Sequence, residues 1–98
     1  MAKIVEEIYG EIISIESTGR KSEADWKWRK IYIGCCGPMA ICVDEDKPEK
    51  RFLYIEDRDK YLITSLGDLK EEDGIITLTT KNSIYKICVK KRKREMEN

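Results

Sequence analysis

Histidine is missing from all 98 residues. Without imidazole, Ser-His-Asp and Cys-His nucleophilic sites, HNH-type nucleases and HExxH metalloproteases lose their proton carrier or ligand near neutral pH, which removes most hydrolytic chemistry. Net charge is missing too, because 19 Lys and Arg cancel 19 Asp and Glu. The total therefore points neither to a strongly basic nucleic-acid binder nor to an acidic decoy. Apolar runs are short, as in Ile31–Tyr32–Ile33 and Phe52–Leu53–Tyr54–Ile55. They fall well below the ~18–20 residues of a membrane span, and no export signal precedes them, so a cytoplasmic protein with no membrane partner is expected. With 2 Pro and 6 Gly there is no linker-like tract, and the length suits one small domain.

What is present is a charged chain, 39% Asp, Glu, Lys and Arg against 41% hydrophobic residues, whose apolar positions recur mainly with period two. Ile4 to Glu16 fits a helical face through Ile4, Ile8, Ile12 and Ile15, but its β-branched residues and Gly10 favour a long bent strand. Trp26 to Ile33 reads as a second strand, and Met39 to Val43 as a third, ahead of an acidic turn from Asp44 to Pro48. Phe52 to Ile55 and Tyr61 to Thr64 flank a hairpin connection. Leu66 to Asp73 is expected as a helical turn, capped by Ser65 and stopped by Gly74. Ile75–Thr80 and Ser83–Val89 form a closing hairpin around Lys81–Asn82, where Asn tolerates positive φ. The expected fold is all-β: a small barrel or sandwich of about six or seven strands, SH3-like or OB-like, with at most one short helical turn. A single domain is expected over residues 3–90, followed by a flexible basic tail over 91–98 that has too little apolar surface to order.

Four cysteines, Cys35, Cys36, Cys42 and Cys88, are expected as reduced thiols. Cys42 and Cys88 lie among Ile and Val as small buried hydrophobes. The spacing does not match the C-x2–4-C pairs of zinc sites, so no metal or other cofactor is expected. The Asp44–Glu45–Asp46 and Glu56–Asp57–Arg58–Asp59–Lys60 clusters could hold Mg²⁺, but turns ordinarily carry such carboxylates in water, and the former lacks the Gly and Glu of an EF-hand. Gly34–Cys35–Cys36–Gly37 offers a thiol with no base beside it, or a backbone nest for phosphate. No catalytic residue is assigned, and an enzyme is not expected.

The most informative segment is Trp26–Lys27–Trp28–Arg29–Lys30–Ile31–Tyr32–Ile33. As a strand it places Trp26, Trp28, Lys30 and Tyr32 on one face and Lys27, Arg29, Ile31 and Ile33 on the other. Trp26, Lys27, Trp28, Arg29, Lys30 and Tyr32 are the candidate binding residues. Aromatic faces beside cations can stack bases and neutralise phosphate, whereas in a small barrel the same rings can serve as core. Charge is segregated along the chain, positive over 20–30 and 90–98 and negative over 44–73, which can make one face attractive to a charged partner.

The hairpin sequence from Ile75 to Tyr85, with T-x-N-S-x-Y at Thr80, Asn82, Ser83 and Tyr85, resembles the closing hairpin of many small phage and mobile-element proteins of Firmicutes. That resemblance implies an accessory protein, of the kind that includes stoichiometric inhibitors of host defence such as anti-CRISPR proteins. The expected function is thus a small non-catalytic module that binds a host protein. The alternative is a nucleic-acid or nucleotide binder using the aromatic and basic face.

Overall fold

The computed structural model describes residues 2–92. Period-two patterning yields seven strands in one antiparallel sheet: β1 Ala2–Ser17, β2 Cys36–Asp44, β3 Lys47–Asp57, β4 Lys60–Ile63, β5 Gly67–Glu72, β6 Ile75–Thr80 and β7 Ser83–Arg92. The order β2-β1-β7-β6-β5-β3 closes on itself through a β2–β3 pairing, giving a six-stranded barrel, with β4 as an extra strand on β3. The barrel is the expected all-β class.

β1 is the long bent strand that its isoleucines favour. Its first part pairs with β2 and its last part with β7, and register shifts follow Ile4, Tyr9 and Ile12. Each shift adds a bend, so one strand can serve two neighbours around a tight barrel. Gly10 faces inward at the crossing, where a Cβ would lie 2.9 Å from Ile87 Cγ2 and 3.3 Å from Met39 Sδ.

Inward residues fill the barrel in rows set by register. Ile8, Met39, Ile55 and Leu62 make one row and are all buried. Ile12, Ile76, Leu78, Tyr85 and Ile87 continue the core from β1, β6 and β7. At one end Trp26 completes the filling. At the other, Arg92 donates to the carboxylates of Glu6 and Glu71 across three strands. These partners raise the Arg92 pKa, Glu71 most, so the guanidinium stays charged.

Four expectations need correction. Trp26 to Ile33 is not a strand: a four-residue helix α1, Glu23–Trp26, runs into a 3-10 helix, Lys27–Tyr32. Leu66 to Asp73 is not a helical turn but contains β5. There Gly67 crosses so near β6 that a Cβ would lie 2.3 Å from the Thr79 carbonyl oxygen, and Leu69 pairs with Leu78. The Lys81–Asn82 turn uses no positive φ. Instead the Thr80 hydroxyl donates to the Ser83 carbonyl and accepts from the Ser83 N–H, both at 3.1 Å. Finally, β7 runs past Val89 to Arg92, so the basic run starts inside the barrel wall. The expected tail otherwise lies outside the described residues. Cys42 is buried as expected, and Cys88 is half-buried.

Candidate functional site

The segment carrying the candidate residues is a lid over one end of the barrel. Its start is tied to the β6–β7 turn, where the Thr18 hydroxyl donates to the Lys81 carbonyl at 2.7 Å and the Thr18 N–H to the Asn82 carbonyl at 3.1 Å. Its end is tied to β1, where the Gly34 N–H donates to the Ile12 carbonyl at 2.8 Å and the Ile12 N–H to the Cys35 carbonyl at 2.9 Å. Between these anchors Ser22 caps α1, its hydroxyl oxygen accepting from the Asp25 N–H at 3.3 Å. That cap and the two acids of the first turn, Glu23 and Asp25, favour a helix start. Between its two anchors the lid belongs to no strand pair of the barrel, and its backbone bonds there are made locally, as from the Trp26 N–H to the Ser22 carbonyl and from the Ile33 N–H to the Lys30 carbonyl.

A helical turn distributes side chains differently from a strand, and the expected four-residue face dissolves. Trp26 points into the barrel, 1% exposed, and its Nε1 donates to the Ser83 hydroxyl at 2.8 Å. Tyr32 packs against the core, half-buried. Trp28 stays 49% exposed. The Arg29 guanidinium lies 4.6 Å from the Trp28 ring centroid and donates to the Trp26 carbonyl at 3.3 Å. Tyr32 meets Trp28 edge-on, with centroids 6.3 Å apart. Lys30 lies 3.8 Å from Glu23 and 5.7 Å from the Trp26 ring, and Lys27 is exposed.

The structure thus brings Trp28, Arg29 and Tyr32 together and takes Trp26 away from them. It also adds two residues that the strand reading placed on the opposite face, Ile31 and Ile33, exposed by 58% and 43%. The result is a knuckle with one exposed aromatic ring, Trp28, edge-on to the half-buried Tyr32, together with two isoleucines and a stacked guanidinium, flanked by Lys27 and Lys30. Its geometry is set from beneath by Trp26, whose ring is held by packing and a buried hydrogen bond.

The Gly34–Gly37 segment offers less chemistry than its sequence allows. Cys35 is buried, and desolvation first, with the Asp57 charge second, pushes its thiol pKa up. That disfavours a nucleophilic thiolate. The Cys36 N–H donates to Asp57 Oδ2 at 3.1 Å, so a carboxylate of the chain itself already sits against this stretch of backbone. Among the described residues, no group of three or more Cys, Asp and Glu is placed to hold a metal ion. No helix among them is long and apolar enough to cross a membrane. Comparison with protein-family models, with curated proteins and with solved structures found no match to the chain.

Proposed function

We propose that the protein is a small non-catalytic binding module that acts by stoichiometric occupation of a protein partner's surface, with the Trp28 knuckle as its anchor. One observation carries this reading: Trp28, Ile31 and Ile33 are large apolar side chains held half in water on a lid that is pinned at both ends and from below. Trp and Arg are the residues most enriched at energetic centres of protein interfaces, and a rigid knuckle loses little entropy on docking. The complementary partner surface is an apolar pocket with an acidic rim. The hairpin resemblance is what supports a role in phage or mobile-element counter-defence, with a host protein as target. The nucleic-acid alternative is weakened by the burial of Trp26 and the half-burial of Tyr32, which leave one exposed ring where a stacking platform would use several.

The test compares wild-type protein with Trp28→Ala and Ile31→Lys in capture from nuclease-treated host lysate. The expected result is an equimolar complex with one protein, lost in both variants while their thermal melts stay unchanged. A catch that disappears with nuclease, and an affinity that falls steeply between about 50 and 200 mM salt, would replace this reading with the nucleic-acid one.

A further inference from the structure

The outer surface of the barrel is divided. On β5 to β7 the outward positions are mainly polar, with Asp68, Lys70, Glu72, Thr77, Thr79 and Lys86 beside Ile75 around a depression in the sheet. On β1 to β4 they are not. Ile8, Met39, Ile55 and Leu62 face inward, so the residues between them face out. The outward rows follow from register: Ile4 beside Cys42 and Phe52, then Glu7 beside Ala40, Tyr54 and Ile63. Tyr9 and Tyr61 continue the face upward, opposite Pro38 and Glu56 respectively. Ile4, Ile63 and Tyr61 are exposed by 56%, 54% and 62%. A solvated antiparallel face normally alternates apolar-in with polar-out, and this one is apolar on both sides.

Small residues on the middle strand turn the face into a groove. Pro38 and Ala40 form its floor, Ile4 stands on one wall and Tyr54 on the other, and the cavity has about 430 Å³. The charged side chains lining it are Glu7 and Glu56, both carboxylates. The Tyr54 hydroxyl donates to Glu56 Oε1, which fixes that carboxylate on the wall, and Tyr54 stacks on Tyr61 with centroids 6.4 Å apart. Above the groove, Asp57 and Asp59 are offset by Arg58 and Lys60.

We infer that this groove is a second recognition site, independent of the Trp28 knuckle, for an extended segment of a partner protein that alternates aliphatic side chains with lysine or arginine. Aliphatic groups fill the floor over Pro38 and Ala40. A neighbouring cation reaches the Glu56 carboxylate and the Tyr54–Tyr61 rings, where a carboxylate and aromatic faces favour the same charge. An acidic segment meets the same walls with like-charge repulsion, so charge discriminates between ligands that fit equally well.

Two fluorescein-labelled peptides of about eight residues, one alternating valine with lysine and one alternating valine with glutamate, test this by fluorescence polarisation. The lysine peptide is expected to bind, with affinity reduced about ten-fold or more by Glu56→Lys and by Ala40→Arg and left unchanged by Trp28→Ala. Ala40 and Glu56 face outward, so the barrel should fold in both variants. Ile63→Lys, on the neighbouring strand, serves if Ala40→Arg melts early. Equal binding of the glutamate peptide, absence of lysine-peptide binding, or binding insensitive to Glu56→Lys, Ala40→Arg and Ile63→Lys would overturn the inference. So would a dimer of the free protein that Ala40→Arg converts to monomer, because the groove would then belong to a second copy. Failure of the Trp28 test leaves these outcomes untouched, since the groove substitutions do not alter the lid and Trp28→Ala serves here only as the control.

Discussion

Trp26 and Trp28 lie two residues apart in the same lid, between the same anchors, and have opposite fates. Trp26 is 1% exposed with its Nε1 satisfied by Ser83, while Trp28 is 49% exposed with a guanidinium over its face. In a strand, positions two apart share a side. In a 3-10 turn, with about 3.0 residues per turn, they are separated by ~240°, so one ring plugs the barrel and the other leaves it. A single change of local conformation thus turns a two-ring platform into a structural ring and a recognition ring.

The sharpest way to break that comparison is to truncate each ring in turn. Trp26→Ala is expected to cost about 3–5 kcal/mol, a large share of the stability of so small a domain, and to abolish or strongly lower the cooperative melt. Ser83→Ala leaves the indole N–H buried without its acceptor and is expected to cost about 1–3 kcal/mol, read by urea denaturation. At the far end of the barrel, Arg92→Ala removes the clasp on Glu6 and Glu71, with an expected loss of about 1–2 kcal/mol. Trp28→Ala should move stability by no more than about 0.5 kcal/mol while removing partner binding. Acrylamide quenching sharpens the contrast without relying on a partner: wild-type emission should contain a shielded and an accessible component, and Trp28→Ala should retain only the shielded one. A Trp28→Ala melt as damaged as that of Trp26→Ala would erase the distinction.

Much of the fold was legible because burial in a barrel imposes period two, and Ile, Val and Tyr carry that period plainly through β2 and the β6–β7 hairpin, whereas in β1 a helical face through Ile4, Ile8, Ile12 and Ile15 competes with it. Three features were hidden, each for a physical reason. Trp26 to Ile33 alternates large rings with cations, a pattern that suits a strand and a helical lid equally. The deciding signal was Ser22 followed by Glu23 and Asp25, a helix start. The spacing of Leu66 and Leu69 imitates a helix, although Asp73 and Gly74, both at positive φ, are the Asp-Gly pair that hairpin turns favour. Arg92 reads as one cation in a basic run, and only the barrel's closure brings Glu6 and Glu71 to it. The candidate site was half legible: Trp28, Arg29 and their neighbours lie on the surface, whereas Ile31 and Ile33 were assigned to the wrong side with the strand.

The join between β1 and β7 has a consequence in time. The barrel closes by pairing its first strand with its last, from Ile8 opposite Arg92 to Ser17 opposite Ser83. As the chain leaves the ribosome, β1 emerges before the other strands of the barrel; one neighbour, β2, follows soon, but the other, β7, is the last of those strands to be made. Local hairpins such as β6–β7 can form early, but the seam has the longest loop to close and little reward until it does, which places the protein among the slower-folding small domains. During that wait the apolar side of β1 is open to other nascent chains and to chaperones, so synthesis, more than the finished barrel, is where this protein is most exposed to aggregation.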